Sequence, residues 1–595
     1  MCDSSGRRSL DDYARLPEYD RLARHRYGEG YLGASADLTT AFIQAGDPLL
    51  PADTHGEGTG DGIYEISGLG SALPQLRLVN VDSSGNDLGM EKAGPLLGNS
   101  RQGLPGSAYQ AISATGETVF FTAKPTMAQQ PMGEQQTVYA RVRHSETIAI
   151  SNPSPSECTT CNAVPAPATY QGASGAGSKA FFTTAQQLTD TDKDATNDLY
   201  MYDFSRPSGH HIVQLSGGGI GDSTPGVGAG VQGVVRTSAD GSAVYFVAAG
   251  VLTTVPNREG QLAQAGGDNL YAVDTNNGKT KFVAELCSGL DTSGSVTDVH
   301  CPTSSSDSAL WGADDQASRL AQTTPEGRYL VFSTFADLSL QDTNSAQAVY
   351  RYDASTCELT WISHTAPNFA PGNEAKNASI AGVPALYGAE VDINDWNRTL
   401  SENGKFIIFT TREKLQPDDL NNASDVYLWH DGTVSLISDG VSRQGVNASL
   451  ELPSAAISAS GSDIFFLTQS QLVGQDTDVL QDLYDARISG GFPAQPKAPS
   501  CTGEEWSCQG KAGENPAPPK PEGSATQQPG DNLTPAPFKE ALEPEAKPRR
   551  TTVTRPMALV QALQRCKKAR SRPKRQSCEK RARKMHGSPK VNQGK

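Results

Sequence analysis

The sequence predicts an all-β protein built from about seven repeats of a four-stranded sheet, within a range of six to eight. Its apolar runs are short, rich in β-branched and aromatic residues, and bounded by Gly, Asn and Asp, which is typical of strands and turns. The 595 residues exceed one ordinary compact core, so the length favours several domains or a repeat array. One motif also recurs seven times in constant register, which indicates an internal repeat.

The motif reads [S/T]-x-x-[G/L]-x4-[F/I]-x5-[L/M] and is followed by a Tyr. The step from Ser or Thr to Phe or Ile is the same in all copies, and the step from there to Tyr is the same in five of them. The copies begin at Ser35, Ser113, Ser174, Ser238, Thr324, Ser401 and Ser458. Because one sheet of this size cannot cover both of its faces, successive copies are expected to stack face to face as the blades of a β-propeller. A solenoid, the competing repeat architecture, would need shorter and more uniform periods.

Composition divides the chain into four parts. Residues 1–30 are an N-terminal segment, expected to be a closing strand or disordered, and residues 31–492 form the propeller. Residues 493–550 are rich in Pro and Gly and are expected to be a disordered linker, and residues 551–595 a short basic helical tail. The seventh copy lacks a fourth strand, because Gly490 and Gly491 follow its Tyr strand directly. The N-terminal segment is the natural donor of that strand, since closure removes exposed sheet edges.

Charge is distributed unevenly along the chain. Residues 541–595 hold 17 Lys and Arg against three Glu. The rest of the chain therefore carries a net charge near −30, and the whole chain one of −16. An acidic body makes a nucleic-acid partner unlikely, because such binding depends on neutralising phosphates. The basic tail is a separate module, and we expect it to bind an anionic polymer of the cell envelope. No apolar run is long enough for a transmembrane helix.

Eight of the ten cysteines fall into local pairs in loops, the linker or the tail. The disulfide candidates are Cys158–Cys161, Cys287–Cys301, Cys501–Cys508 and Cys566–Cys578. Such pairs are typical of an oxidising compartment; reduced thiols and a zinc site remain the alternatives. The sequence therefore predicts an extracellular or cell-surface protein, although no signal peptide is recognisable after Met1. A misassigned start or a truncated copy would reconcile the two observations.

The repeats resemble a known family of propeller repeats. Ser238-Ala239-Asp240-Gly241 with Val244-Tyr245-Phe246, and Asp425-Val426-Tyr427, match the turn and strands of the WD40-like, TolB-type β-propeller repeats. The layout also resembles uncharacterised exported propeller proteins of high-GC soil bacteria, through Asp482–Pro493 and the Cys-bracketed basic tail Arg565–Gly587. The resemblance implies a propeller fold and a cell-envelope or extracellular setting, and it implies no catalytic residue.

Four copies share the motif D-x-[DN]-x3-[DA]-[LV]-Y in the loop between the second and third strands. The richest loop, in the third copy, carries Asp190, Asp192, Asp194 and Asp198. Alternating carboxylates on a tight loop suit a hard cation, so these four are a candidate calcium site; otherwise no cofactor is expected. The alternative is that Asp and Asn cap turns by accepting hydrogen bonds from nearby backbone N–H groups.

No catalytic motif is present. The sequence has no G-x-S-x-G nucleophile elbow, and its repeated Asp residues are explained by the repeat itself. We therefore expect a non-enzymatic scaffold that binds a protein or glycan partner on its loop-rich face. The alternative is a propeller hydrolase or lyase that acts on polysaccharide or peptide in the central channel. Trp311 and Trp396 lie in long loops and are the tryptophans to test for ligand contact.

Overall fold

A computed structural model describes residues 30–491 with internal gaps, the longest of which are 290–300, 366–375, 381–397 and 442–454. Within these residues it contains 27 strands in seven antiparallel sheets and a single 3₁₀ turn, Ser308–Leu310. The search of the described residues for a helix able to cross a membrane finds none. Residues 1–29, the linker and the basic tail lie outside the described residues, so the predictions made for them stay predictions.

The strands follow one another along the chain and pair in order within each sheet. Sheet 1 comprises β1 Gly30–Ala34, β2 Thr40–Ala45, β3 Gly62–Ser67 and β4 Gln75–Leu78. Sheet 2 comprises β5 Leu96–Leu97, β6 Thr118–Ala123, β7 Thr137–Val142 and β8 Glu146–Ala149. Sheet 3 comprises β9 Ala168–Ala173, β10 Lys179–Thr184, β11 Asp198–Asp203 and β12 Ile212–Gln214. Sheet 4 comprises β13 Val231–Thr237, β14 Ala243–Ala248, β15 Asp268–Asp274 and β16 Lys279–Leu286.

The remaining sheets continue the same order. Sheet 5 comprises β17 Ala321–Thr323, β18 Tyr329–Thr334, β19 Ala348–Asp353 and β20 Glu358–Trp361. Sheet 6 comprises β21 Ala378–Ile380, β22 Phe406–Thr411, β23 Asp425–His430 and β24 Thr433–Leu436. Sheet 7 comprises β25 Ala455–Ile457, β26 Asp463–Thr468 and β27 Asp482–Arg487. Seven such sheets confirm the predicted propeller, and within the described residues the last of them has three strands.

The Ser or Thr that opens each repeat forms the turn between the first and second strands. Its side-chain oxygen accepts a hydrogen bond from the backbone N–H five residues later in all seven sheets, at 2.9–3.1 Å. The residue three positions after it has a positive φ, which is why it is Gly in six copies. The exception is Leu38, with φ 57°, in the copy that departs most from the consensus. The repeated Ser and Thr side chains thus stabilise the turns.

These turns also connect neighbouring sheets through the backbone. The N–H of Ala36 donates to Ala114 O, that of Ala114 to Gly175 O and that of Gly175 to Ala239 O, each at 2.7 Å. The series continues into sheet 5, where Asp240 N–H donates to Pro325 O at 3.2 Å. Proline has no N–H, so Pro325 cannot pass the same bond on to sheet 6. The turns therefore hold the first five sheets in one fixed order.

The repeated Phe and Tyr are direct partners across the second and third strands. They face each other in register in six sheets, and Ile43 faces Tyr64 in sheet 1. The ring centroids of the six aromatic pairs lie 5.3–6.3 Å apart. The Phe–Tyr face of each sheet from 2 to 7 packs against the opposite face of the sheet before it. The core is therefore a series of inter-sheet layers, as the stacking argument predicts.

Sheet 7 ends this series with one face uncovered. Phe465 and Leu483, which point away from its Phe–Tyr face, are 39% and 67% exposed. In sheet 1, the Tyr face forms a local cluster of Ala45, Tyr64 and Leu78. None of the hydrophobic clusters found within residues 30–491 joins sheet 7 to sheet 1.

Two of the four predicted disulfides fall within the described residues, and both are formed. Cys158 bonds to Cys161, and Cys287 bonds to Cys301. Cys357 is a free cysteine in sheet 5.

Replacing a Phe of an inter-sheet layer should destabilise the protein far more than replacing one on the uncovered face. Phe182 is fully buried beneath Tyr200, so Phe182→Ala should cost about 3–5 kcal/mol. The matched control Phe465→Ala, on the uncovered face of sheet 7, should cost less than about 1 kcal/mol. Thermal and urea unfolding of the two variants measures the difference, and equal losses would contradict the layered core.

Candidate functional site

The first Asp of the repeated acidic motif binds the hydroxyl of the repeated Tyr. The Tyr OH donates to an Asp carboxylate eight residues earlier in four sheets; the pairs are Tyr200–Asp192, Tyr350–Asp342, Tyr427–Asp419 and Tyr484–Asp476. Tyr64 makes the same bond to Asp53 in sheet 1. Burial raises the pKa of all five tyrosines, and the adjacent carboxylate raises it further. The hydroxyls therefore remain protonated donors, and the motif has a structural role in each sheet.

The last Asp of the motif binds the fourth strand of its own sheet. Ser216 Oγ donates to Asp198 Oδ1 at 2.6 Å in sheet 3, and Ser438 Oγ donates to Asp425 Oδ1 at 2.5 Å in sheet 6. The same Ser oxygens accept the backbone N–H of Leu199 and Val426. A Ser at the end of four repeats accepts a backbone N–H of the third strand in the same way: Ser151 from Val138, Ser216 from Leu199, Ser363 from Val349 and Ser438 from Val426.

The middle position caps the loop, as the turn interpretation predicts. Asp194 Oδ1 accepts from Thr196 N at 2.6 Å, and Asn421 Oδ1 accepts from Ala423 N at 2.7 Å. Asp192 Oδ1 also accepts from Asp194 N at 3.2 Å.

The structure brings three of the four predicted calcium ligands together. Oxygens of Asp192, Asp194 and Asp198 all lie within 4.8 Å of one another. Asp190 points elsewhere: its carboxylate accepts hydrogen bonds from the hydroxyl of Thr159 and from the backbone N–H groups of Thr160 and Cys161, which lower its pKa. It therefore holds the disulfide loop and does not belong to the acidic group.

A different site lies where the first strands of several sheets converge. A cavity of about 210 Å³ is lined by residues of sheets 4, 5 and 6 and by Tyr109, which precedes the Ser113 turn of sheet 2. Its lining includes Arg236 of β13, Gln322 of β17, and Leu400 and Glu402 beside the Ser401 turn. We call this cavity the axial pocket.

Arg236 is the charged group at the base of the axial pocket. It is 8% exposed, and its guanidinium carbon lies 4.6 Å from the centre of the Tyr109 ring. Its Nη1 donates to the carbonyl of Gln316, whereas its Nε is buried without a hydrogen-bond acceptor. No carboxylate within the described ranges forms an ion pair with it. At the rim, Arg398 and Glu402 pair with each other at 3.0 Å.

The loop between sheets 4 and 5 closes the inner side of this site. Gln316 is fully buried; its side chain donates to Gln171 O and accepts from Thr237 N at 2.9 Å. A Cβ at position 172 would lie 2.8 Å from Gln316 Nε2, so Gly172 is required for this approach. Arg319 of the same loop donates to Val234 O. The loop thereby keeps Arg236 in place.

Sequence reasoning did not identify Arg236, although the repeat alignment contains the signal. Two residues before the Ser or Thr of the motif, the seven copies carry Gly33, Ala111, Gly172, Arg236, Gln322, Thr399 and Ala456. The residues at this position are small or uncharged, with the exception of Arg236. Trp311, a predicted ligand-contact residue, is instead 6% exposed within the layer between sheets 4 and 5. Trp396 lies outside the described residues.

The axial pocket holds no array of catalytic groups among the described residues. Glu402 is the carboxylate in its lining, no His contributes to it, and Ser401 is a buried turn residue. The two carboxylates or the Ser–His pair that the enzyme alternative requires are thus not found in the described lining.

Comparison with known proteins finds no family model that matches the chain and no matching curated protein. Several solved structures are similar in fold. TolB from Agrobacterium tumefaciens is 13% identical over 56% of this chain and 79% of its own, with a TM-score of 0.24. An oligogalacturonate lyase from Vibrio parahaemolyticus is 10% identical over 77% and 90%, with a TM-score of 0.29. A prolyl endopeptidase is 12% identical over 80% of this chain, with a TM-score of 0.33.

The chain spans about half the length of that prolyl endopeptidase, 52%. TolB, the family that the repeats resemble, is thus also among the structures that the fold resembles. At these identities and TM-scores the similarities assign no function to the chain.

Removing a Tyr hydroxyl should destabilise a buried blade more than the last one. In Tyr427→Phe, Asp419 Oδ2 loses its 2.5 Å donor inside the protein, which should cost about 1–3 kcal/mol. The control Tyr484→Phe removes the same bond in sheet 7, where the pair is less buried, and should cost less. Urea unfolding compares the two; a larger loss in Tyr484→Phe would show that burial does not set the strength of this bond.

Proposed function

We propose that this chain is a non-enzymatic, exported propeller scaffold, and that its axial pocket binds a carboxylate group of a protein or glycan partner. The observation that carries the proposal is that Arg236 is buried at the pocket without an ion-pair partner among the described residues. Buried charges in proteins are normally paired, because an unpaired one is strongly unfavourable in a low-dielectric interior. A guanidinium that lies at a pocket, stacked on Tyr109 and without an acidic partner among the described residues, is suited to receive a carboxylate from outside.

The size of the pocket restricts which ligand groups can enter it. About 210 Å³ is smaller than a typical drug-sized site and suits one terminal sugar or one side chain of a larger partner. The pocket lies on the side of the sheets that carries the Ser turns, so a polymer could extend from it across the turns of sheets 4 to 6. Arg398 and Glu402 at the rim would then contact the part of the ligand outside the cavity.

Matched acid and neutral probes test this function. We expect the full chain to bind glucuronate but not glucose, or N-acetylglutamate but not N-acetylglutamine, in calorimetric or NMR titrations. The first pair reports a glycan source and the second a protein source of the carboxylate. Equal affinity for an acid and its neutral analogue would overturn the proposal, and so would the absence of binding to both acids.

The substitution Arg236→Gln should weaken binding of the acidic probe by about ten- to hundredfold, since hydrogen bonds to charged groups contribute roughly 1.5–3 kcal/mol. Arg141→Gln is the control. Arg141 is half-buried in sheet 2, where it donates to the carbonyls of His144 and Ser145, and none of these residues lines the pocket, so its loss should leave affinity unchanged. Equal weakening in both variants would indicate a general structural effect. Cleavage of an oligomeric probe by the wild-type chain would instead support an enzyme.

We assign the proposed attachment to the cell envelope to the basic tail because of its positive charge. Retention of the full chain on polyglutamate-coated beads should fall steeply with salt, because the interaction is between exposed charges. A chain that ends at residue 550 should not be retained at any salt concentration. Equal retention of the two chains would remove the tail from the proposal and leave the axial pocket unaffected.

A further inference from the structure

Two buried carboxylates in the acidic loop of sheet 6 each keep one oxygen without a donor. Asp419 and Asp425 are both 3% exposed. Tyr427 and Ser438 donate to one oxygen of each, at 2.5 Å. The other two oxygens, Asp419 Oδ1 and Asp425 Oδ2, are buried and accept no hydrogen bond. Because buried carboxylate oxygens are normally satisfied, these two mark a place where a positively charged group is favoured.

The two carboxylates act on each other. Burial raises the pKa of Asp425 to about 6, and the charge of Asp419 contributes to the shift. The amide groups of Asn421 lie close enough to lower the pKa of both carboxyl groups, yet they make no hydrogen bond of normal geometry to the two free oxygens. Neither carboxylate forms an ion pair with Lys or Arg of the described chain. Lys414 acts on Asp419 through its charge from beyond ion-pair distance, so no cation of the described chain contacts either carboxylate.

A related arrangement occurs in sheet 3 with one more carboxylate, although Asp192 Oδ1 there accepts the backbone N–H of Asp194. Tyr200 and Ser216 hold one oxygen each of Asp192 and Asp198, as Tyr427 and Ser438 do in sheet 6. Asp194 takes the position of Asn421, and its Oδ2 is buried without a donor. The oxygens of the three residues lie within 4.8 Å of one another.

We propose that a hard divalent cation of the calcium class binds between Asp419 and Asp425 in sheet 6, and that the Asp192, Asp194 and Asp198 group of sheet 3 is a second site of the same kind. Such cations take oxygen ligands, and carboxylates that converge in a tight loop supply them. The Tyr and Ser donors orient each carboxylate, so its second oxygen is already directed before the cation arrives. The cation would tie the loop between β22 and β23 to the end of β24.

These sites are independent of the proposed ligand pocket. The acidic loops connect second and third strands, whereas the axial pocket lies beside the turns between first and second strands. Loss of cation binding should therefore leave binding of the acidic probe in place, and the two proposals can fail separately.

The test uses the full chain after treatment with EGTA and removal of the chelator. We expect saturable calcium binding by calorimetry and a rise in melting temperature on adding calcium, because a ligand specific to the folded state stabilises it. Terbium should replace calcium and give luminescence on excitation of Tyr427, whose hydroxyl contacts Asp419. Absence of both calcium binding and sensitised luminescence in the wild-type chain would overturn the proposal.

Isosteric variants assign the two sites. Asp425→Asn should abolish the sheet 6 contribution, and Asp194→Asn should weaken the sheet 3 contribution, each lowering the number of bound calcium ions by one or its affinity by at least tenfold. Asp476→Asn is the control, because it alters the same Tyr bond in sheet 7, where the neighbouring Asp482 is exposed. Unchanged binding in both Asp425→Asn and Asp194→Asn would place the cation elsewhere and contradict the assignment. Circular dichroism checks that each variant folds.

Discussion

The direct pairing of Phe and Tyr across the second and third strands is the constraint on which the rest of the structure depends. A four-stranded sheet has two faces, and covering both is favourable when both carry large apolar side chains. Each aromatic pair therefore has to be covered by the opposite face of the preceding sheet, and six such layers occur between sheets 1 and 7. The Ser turns set the spacing, because the Gly after each Ser fits closely against the previous turn; at Gly241, a Cβ would lie 2.9 Å from Ser174 Cβ.

Burying a tyrosine creates a second requirement, since its hydroxyl needs a partner away from water. The Asp eight residues earlier supplies it in four sheets. This solution introduces a buried carboxylate, and the Asp two residues before the Tyr adds another in sheets 3 and 6. In sheet 6 the donors available nearby, a Tyr hydroxyl and a Ser hydroxyl, cover one oxygen of each carboxylate. The acidic loop is thus a consequence of packing first, and the cation proposed for it would bind the oxygens that packing leaves without donors.

The repeat could be recognised in the sequence because both of its spacings, Ser to Phe and Phe to Tyr, are set by local structure. The Ser-to-Phe step is set by one turn and half a strand, and the Phe-to-Tyr step by one hairpin, so neither depends on distant residues. The Tyr–Asp bond could have been inferred in the same way, because Asp419 and Tyr427 keep a constant spacing in the motif. The role of Gln316 could not have been inferred. Its side chain hydrogen-bonds to sheets 3 and 4 although its loop follows sheet 4, and no local sequence pattern indicates that the loop folds back to them. Trp311 was misread for the same reason, since a long loop that folds inward looks like an exposed one in sequence.

Function in a repeat array is expected where one copy departs from the others. Residues that recur in every blade are explained by what every blade needs, namely a turn, an aromatic pair and an acceptor for the Tyr hydroxyl. The column that faces the axis carries Gly or Ala in sheets 1, 2, 3 and 7, because first strands that converge leave little room there. In sheet 4 the same position is Arg236. Its guanidinium contacts the Tyr109 ring and donates to Gln316 in the buried loop between sheets 4 and 5. A large charged side chain in the most crowded column is unfavourable for folding alone, so its presence supports the proposal that the axial pocket binds a ligand.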